Sequence, residues 1–238
     1  EILSLDLNTL EYREKQRAKF ATLELTKTID KVVDRFKVLV KGKDKASEFY
    51  RKSFAALFAY VSNRIPEITD DLYKIDDAMK AGFGWEHGPF QIWDAIGVEA
   101  GIEMMKAEGL EPNAWVNEML ASGSTSFYTV KDGASYAYDI PSKTQQKIPG
   151  QDSFIILDNI RKSNEVFKNS GVVIEDLGDG ILNCEFQSKM NTIGGDVLAG
   201  LNKAVDLAEK DFDGLVIGNQ GANFSVGANI GMIFMMAA

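Results

Sequence analysis

Few residues in this chain could do chemistry. The single histidine, His87, lies in the run Gly82-Phe83-Gly84-Trp85-Glu86-His87-Gly88-Pro89-Phe90. An imidazole can move a proton near neutral pH, but acid–base work on a hydroxyl pairs it with a carboxylate, and nothing in the sequence marks such a partner. The run reads instead as a tight turn between two helices. Its glycines reach conformations closed to other residues, its aromatics each need a pocket, and Pro89 suits a first helical turn. Asp76 and Asp77 could form an acid pair; a solvated helix face with one turn-stabilising hydrogen bond is the expected role. Cys184 alternates within a strand pattern and is expected to be buried and inert. Gly178 and Gly180 look like a phosphate loop but lack the lysine and the following helix, so a hairpin turn is expected. Gly218, Gly221 and Gly227, with Phe224 among them, lie between a strand and a helix and remain as a candidate ligand loop.

The 238 residues suffice for one large domain or two small ones. A net charge of −9 argues against nucleic-acid and anionic-membrane surfaces. The lone cysteine excludes an internal disulfide and points to a reducing, cytoplasmic location. No apolar run reaches the roughly 20 residues that a membrane helix needs, and no cluster of metal ligands is apparent. The chain opens at Glu1 and stops in the apolar run Ile230-Gly231-Met232-Ile233-Phe234-Met235-Met236-Ala237-Ala238, so it is expected to be a piece of a longer protein. Met232, Met235 and Met236 read as core residues.

Apolar spacing predicts a helix over 25–40, with Thr22 or Thr26 as its cap. Asp44 caps a long helix over 45–64, with Phe49, Phe54, Leu57, Phe58 and Val61 as one stripe, and Pro66 follows its end. Thr69 is expected to cap a helix over 70–81 that holds Asp70 and Asp71 in its first turn. Shorter helices follow over 89–96, 99–107 and 112–121, closed by Gly97, Gly109 and Gly123. Residues 127–130 and 135–138 alternate around Asp132-Gly133, a hairpin turn signal. Residues 142–151 are polar, with Pro141 just before them and Pro149 among them, and read as a linker. Beyond Gly171, strands over 172–177 and 181–186 flank Gly178-Asp179-Gly180, an amphipathic helix covers 195–210, and a short buried strand covers 214–218. This order suggests an α/β unit. The fold class is therefore mainly α with a small α/β part, with an N-terminal extension over 1–43, an all-α domain over 44–123, a hairpin and linker over 124–170, and a last domain over 171–238.

The elements Ile75-Asp76-Asp77-Ala78-Met79, Gly82-Phe83-Gly84-Trp85, Gly88-Pro89-Phe90, Trp93-Asp94 and Gly97 resemble, in order, the C-terminal helical domain of 3-hydroxyacyl-CoA dehydrogenases. The resemblance spans about residues 44–121 and implies a domain that covers substrate and makes dimer contacts. Residues 171–238 resemble the start of a crotonase, or enoyl-CoA hydratase/isomerase, domain. The carrying residues are Met190-Asn191-Thr192-Ile193, Leu215-Val216-Ile217-Gly218 and Phe224-Ser225-Val226-Gly227-Ala228-Asn229-Ile230. Asn229 stands where that family has aspartate. Together the two look like a fused bifunctional enzyme of fatty-acid β-oxidation.

The resemblance implies a division of labour. Crotonase chemistry passes through a thioester enolate, whose oxyanion two backbone N–H groups must meet. Carried over, one is the N–H of Ala228, in an acyl-CoA loop formed by Phe224, Gly227 and Ala228. The second N–H and the working carboxylates come from later segments, so this chain is expected to hold half an oxyanion hole and to be inactive alone. Whether the parent hydrates or isomerises rests on those carboxylates. Dehydrogenation implies NAD on a Rossmann domain with G-x-G-x-x-G, which this sequence lacks. The family's asparagine in a V-N-R-like motif has no match in Ala46-Ser47-Glu48-Phe49-Tyr50-Arg51-Lys52. The helical domain therefore resembles a second, non-catalytic repeat that packs on a preceding helical repeat and Rossmann domain. Acyl-CoA is the expected substrate of the parent, and a homo-oligomer is possible. A non-catalytic packing or dimerisation module is the alternative.

Overall fold

The computed structural model describes residues 2–16 and 18–237. The chain divides into two compact units, Glu1–Phe127 and Tyr128–Ala238.

The first unit opens with an antiparallel ribbon of β1 (Leu3–Leu5) and β2 (Tyr12–Glu14), inside the stretch expected to be an N-terminal extension. The single helix expected over 25–40 is two, α1 (Ala21–Thr26) and α2 (Val32–Lys41). The break follows from threonine chemistry. Thr26 Oγ1 donates to the Leu23 carbonyl at 2.8 Å and Thr28 Oγ1 to the Leu25 carbonyl at 3.1 Å, side-chain bonds that compete with the helical ladder. Neither expected threonine caps a helix: the N-cap positions are Phe20 and Lys31.

Asp44 does cap α3 (Lys45–Asn63), accepting from Ser47 N at 3.0 Å. Its other oxygen accepts from Thr22 N at 2.9 Å, which ties α1 to the start of α3. These two backbone bonds, that to Thr22 first, hold the Asp44 carboxyl below its ordinary range. The α3 stripe is buried at Ala55, Phe58, Ala59 and Val61, whereas Phe49 is exposed. α4 (Leu72–Phe83) starts two residues later than expected, with Asp71 at the N-cap, so no acid lies in its first turn. Thr69 Oγ1 accepts from Asp71 N at 3.2 Å, one residue ahead of the helix.

α5 (Pro89–Ile96) has Pro89 at its first position and ends at Gly97, whose φ of 106° only glycine takes readily. α6 (Val98–Ala107) and α7 (Ala114–Ala121) follow, the latter capped by Asn113 and starting two residues past its expected place. α2 packs on α3 and α5, and α3 on α6. The 1–43 stretch is thus part of the helical unit and not an extension to it. At the centre Phe58 stacks on Trp93 at 4.8 Å, and Phe127 meets Trp93 at 4.9 Å and Phe90 at 5.0 Å. Each of these fully buried rings contributes about 2–3 kcal/mol by area.

The second unit holds two sheets. β3 (Tyr128–Lys131) and β4 (Ala134–Asp139) form the expected hairpin, with Asp132 and Gly133 both at positive φ. The expected linker instead contributes β5 (Thr144–Lys147), which pairs with β4. After α8 (Leu157–Ile160), a four-stranded sheet runs in the order β6-β7-β8-β9. β6 (Glu165–Lys168) was not anticipated, and it pairs with β7 (Val172–Gly178) across the boundary expected near 170. β7 and β8 (Ile181–Phe186) form the expected hairpin, and β9 (Gly214–Ile217) lies parallel to β8. α9 (Gly195–Asp211) packs on one face through Val197, Gly200 and Ala204 against Val172, Ile174, Leu182 and Cys184. The strand expected to be buried is the sheet's edge, with Val216 and Ile217 each 45% exposed.

α10 (Ile230–Ala237) ends the described residues. Its expected core character fails: Phe234 and Met235 are exposed and Met232 is half-buried. The side chain of Met236 and all of Ala238 lie outside the described residues. Among the described residues, no helix is long and apolar enough to cross a membrane.

Candidate functional site

The loop from β9 to α10 carries the candidate residues, and asparagine side chains hold it. Asn219 Oδ1 accepts from Phe186 N at 2.6 Å while its Nδ2 donates to the Phe224 carbonyl at 2.8 Å. Asn191 Nδ2 donates to the Asn223 carbonyl at 2.9 Å, and Ser225 Oγ donates to the Asn191 carbonyl at 2.6 Å. Met190 and Asn191 take positive φ values of 55° and 54°, a left-handed pair that costs energy in residues with a Cβ and that surrounding bonds must hold.

These bonds lead to a parallel bridge between Ile193 and Ala228. Ile193 N donates to the Gly227 carbonyl at 2.9 Å, and Asn229 N donates to the Ile193 carbonyl at 2.9 Å. In this pattern the neighbours of Ala228 make the bonds, and the Ala228 N–H points to the other side of the strand. Ala228 also lines a cavity of about 550 Å³, together with Ser170, Lys189, Thr192, Asp196 and Val226. Gly227, at φ 93°, makes the turn before it. Phe224 is 58% exposed and leans on Phe186 with ring centroids 5.8 Å apart. Of the three expected loop residues, Ala228 alone lines the cavity; Gly227 makes the turn before it, and Phe224 packs at the loop's far end. Asn229 Oδ1 accepts from Met232 N at 3.2 Å, capping α10.

In the first unit, Asp76 is fully buried, contrary to the solvated face expected. Its Oδ1 accepts from Phe90 N and its Oδ2 from Gln91 N, each at 2.9 Å. The carboxylate thus meets the open N–H groups at the positive end of α5. Asp77 faces Lys80 at 2.8 Å on the surface, so the two acids do not form a pair. His87 meets the edge of Phe36 at 6.1 Å. Of the aromatics expected to pin the turn, Phe90 is buried but Phe83 and Trp85 are exposed. In the second unit Cys184 is fully buried. Burial, and after it the nearby Glu175 charge, pushes its thiol up to about 11, so it stays neutral and unreactive.

Sequence reasoning missed a buried ionic cluster. Arg161 donates through Nε and Nη2 to the two oxygens of Glu185, each at 2.9 Å, and Asn183 Nδ2 donates to Glu175 Oε2 at 3.0 Å. In sequence Glu175 and Glu185 alternate with the apolar core positions and so read as solvated. Their burial depends on a cover drawn from a segment read as linker.

A dinucleotide does not fit the residues present. Gly178 and Gly180 close the β7–β8 hairpin, and no G-x-G-x-x-G follows a strand. Among the described residues no cluster could hold a metal ion.

Comparison with known proteins agrees with the helical unit. Residues 54–136 match the family described as 3-hydroxyacyl-CoA dehydrogenase, C-terminal domain. Over 98% of its length the chain is 37% identical to a protein of Bacillus subtilis (strain 168) named "Probable 3-hydroxyacyl-CoA dehydrogenase", of which it covers 30%. It is 28% identical, over 78% of its length, to a "Putative fatty acid oxidation complex trifunctional enzyme" of Rickettsia prowazekii (strain Madrid E), and covers 23% of that protein. The chain thus spans less than a third of these relatives. No solved structure matches it significantly.

Proposed function

We propose that the chain is a supporting part of a cytoplasmic fatty-acid β-oxidation enzyme that oxidises 3-hydroxyacyl-CoA with NAD and hydrates 2-enoyl-CoA. On this reading the first unit is a second, non-catalytic helical repeat that packs on a preceding repeat and Rossmann domain. The second unit supplies the first part of a crotonase-like domain, with Phe224, Gly227 and Ala228 as its acyl-CoA loop. The observation that supports the hydratase half is that Ala228 lines the cavity while the Ile193 bridge uses its neighbours and not its own N–H. A backbone donor of this kind can stabilise a thioester oxyanion without reorganising. Relatives named for 3-hydroxyacyl-CoA dehydrogenase and fatty-acid oxidation support the general reading. NAD would be held by residues outside this chain. The test compares the chain with its parent on crotonyl-CoA, and on acetoacetyl-CoA with NADH. The expected result is a silent chain and an active parent; turnover by the chain alone, or an inactive parent, overturns the proposal.

A second reading has its own support. The helical unit exposes Phe49, Tyr60, Ile68 and Phe83, and Leu57, Val61, Ile75 and Met79 line an apolar cleft of about 690 Å³. Such a surface suits a module whose task is to cover a partner domain. Sedimentation of the chain, with and without CoA, checks it: tight self-association without CoA binding is the expected outcome.

A further inference from the structure

The face of the four-stranded sheet opposite α9 buries two carboxylates, and the half-buried Arg161 pairs with one of them. Glu175 on β7 and Glu185 on β8 are both buried. Glu175 lies opposite Asn183 in register, and Glu185 is two residues further along β8 on the same face. Arg161, at the end of α8, is committed to Glu185 through both oxygens. Glu175 has a single donor at Oε2, the Asn183 amide, and no hydrogen-bond partner for Oε1. A buried carboxylate left so is strongly disfavoured as an anion. As an acid it is neutral, and its proton turns the orphaned oxygen into a donor near Glu185.

We propose that Glu175 is a proton-controlled latch. With its carboxyl protonated, Arg161 stays clamped on Glu185 and the 157–164 segment stays seated; loss of the proton sets a second anion beside Glu185 and loosens that segment. The segment also touches the candidate loop, because Gln220 Oε1 accepts from Leu157 N at 2.8 Å and its Nε2 donates to the Ile155 carbonyl at 2.6 Å. The latch therefore reports to the loop that carries Ala228, whatever that loop binds.

The groups around Glu175 are consistent with this role. β8 presents Glu185 and, on its other face, Cys184. β6 places Glu165 opposite Glu175 in register, and Asp176 is its neighbour on β7. Arg161 and the Asp158 that pairs with it come from the α8 segment, while α9 meets the far face through Val197, Gly200 and Ala204. Burial, first of all, raises the Glu175 carboxyl to about 7; the Asn183 bond opposes it next, the charge of Glu185 and a hydrogen bond to it add to the rise, and Arg161 opposes it least.

In an opened segment Glu175 returns to its ordinary range near 4.5. The closed form is thus favoured at low pH, and opening grows about tenfold per pH unit between 5 and 7, levels off above 7, and spans about 300-fold in all. Hydrogen–deuterium exchange of the full chain from pH 5 to 8, corrected for intrinsic rates, reads this directly. Protection of 157–164 is expected to fall through that window in the wild type and to stay flat in Glu175→Gln, which keeps the shape and removes the titration. Carbon-13 NMR of the Glu175 carboxyl supplies a second measurement on the unaltered chain, with a midpoint near 7 expected. A midpoint in the ordinary glutamate range, pH-independent protection in the wild type, or an unchanged slope in Glu175→Gln overturns the latch. None of these readouts depends on acyl-CoA chemistry.

Discussion

Replacing Asp76 with asparagine tests the organisation of the helical unit at one atom. The buried carboxylate accepts from Phe90 N and Gln91 N, one oxygen each. Bonds to a charged acceptor are worth about 1.5–3 kcal/mol each. Asparagine has nearly the same shape but offers a single acceptor, so one bond becomes neutral and the other sets an NH₂ group against a backbone N–H. The charge at the start of α5 is lost as well. Together these amount to about 3 kcal/mol, or roughly a 10 °C fall in the melting temperature for a unit of this size. Gly88 allows no escape, because a Cβ there would come within 2.3 Å of the Asp76 backbone; the two segments already touch. Thermal denaturation followed by circular dichroism at 222 nm gives the measurement, with Asp77→Asn as the matched surface control, expected within about 0.5 kcal/mol of wild type. The reasoning is refuted if Asp76→Asn melts within a degree or two of wild type, or if Asp77→Asn falls as far.

Other outcomes follow from the same contacts. Gly101→Ala is expected to destabilise the first unit strongly, because its Cβ would lie 2.1 Å from Trp93 Nε1 and displace the indole from its 3.0 Å bond to the Val98 carbonyl; Gly82→Ala, with nothing within 4 Å in the last turn of α4, should instead stabilise by about 0.5–1 kcal/mol, and urea titration compares the two. Asn219→Ala removes bonds to Phe186 and Phe224 and is expected to cost about 1–3 kcal/mol, read as faster amide exchange at Phe186 and through 219–229. Ala228→Pro deletes the N–H that the Ile193 bridge leaves unused while sparing the Gly227 and Asn229 bonds to Ile193; on the proposed role, in the parent it should lower crotonyl-CoA hydration about 10²–10³-fold with little change in dehydrogenation. Glu175→Gln should raise stability at pH 8 relative to wild type by about 3 kcal/mol and leave it unchanged below pH 4.5: the wild-type carboxyl, raised to about 7 when folded, binds its proton more tightly than in the unfolded chain, so stability is lost as pH rises from 4.5 to 7.

Where local chemistry decides an element, the sequence read it well. Asp44 before α3, Pro89 and Gly97 around α5, and the Asp132-Gly133 and Gly178-Asp179-Gly180 turns each act within a few residues. Where distant partners decide, it did not. The strand over Thr144–Lys147 is Thr-Gln-Gln-Lys and has no strand signature of its own; pairing with β4 makes it one. The break after α1 depends on threonine hydroxyls turning back to the backbone, which apolar spacing does not register. Asp76 sits in an ordinary helical pattern, and only the arrival of α5, fourteen residues later, buries it. The candidate loop divides the same way. Gly227 and Ala228 were visible through a resemblance, but the asparagines that hold them are unremarkable in composition. Arg161 and Glu185 lie 24 residues apart with no periodicity to join them.

The aromatic centre of the helical unit has a practical consequence. All three tryptophans, Trp85, Trp93 and Trp115, fall before residue 128, and the rest of the chain has none. Intrinsic fluorescence excited at the indole band is therefore blind to the strand-rich half. Set beside a signal from both halves, such as the far-ultraviolet spectrum, it separates their unfolding without any label: superimposed curves mean that the two melt as one, and a lag between them means that each keeps its own counsel.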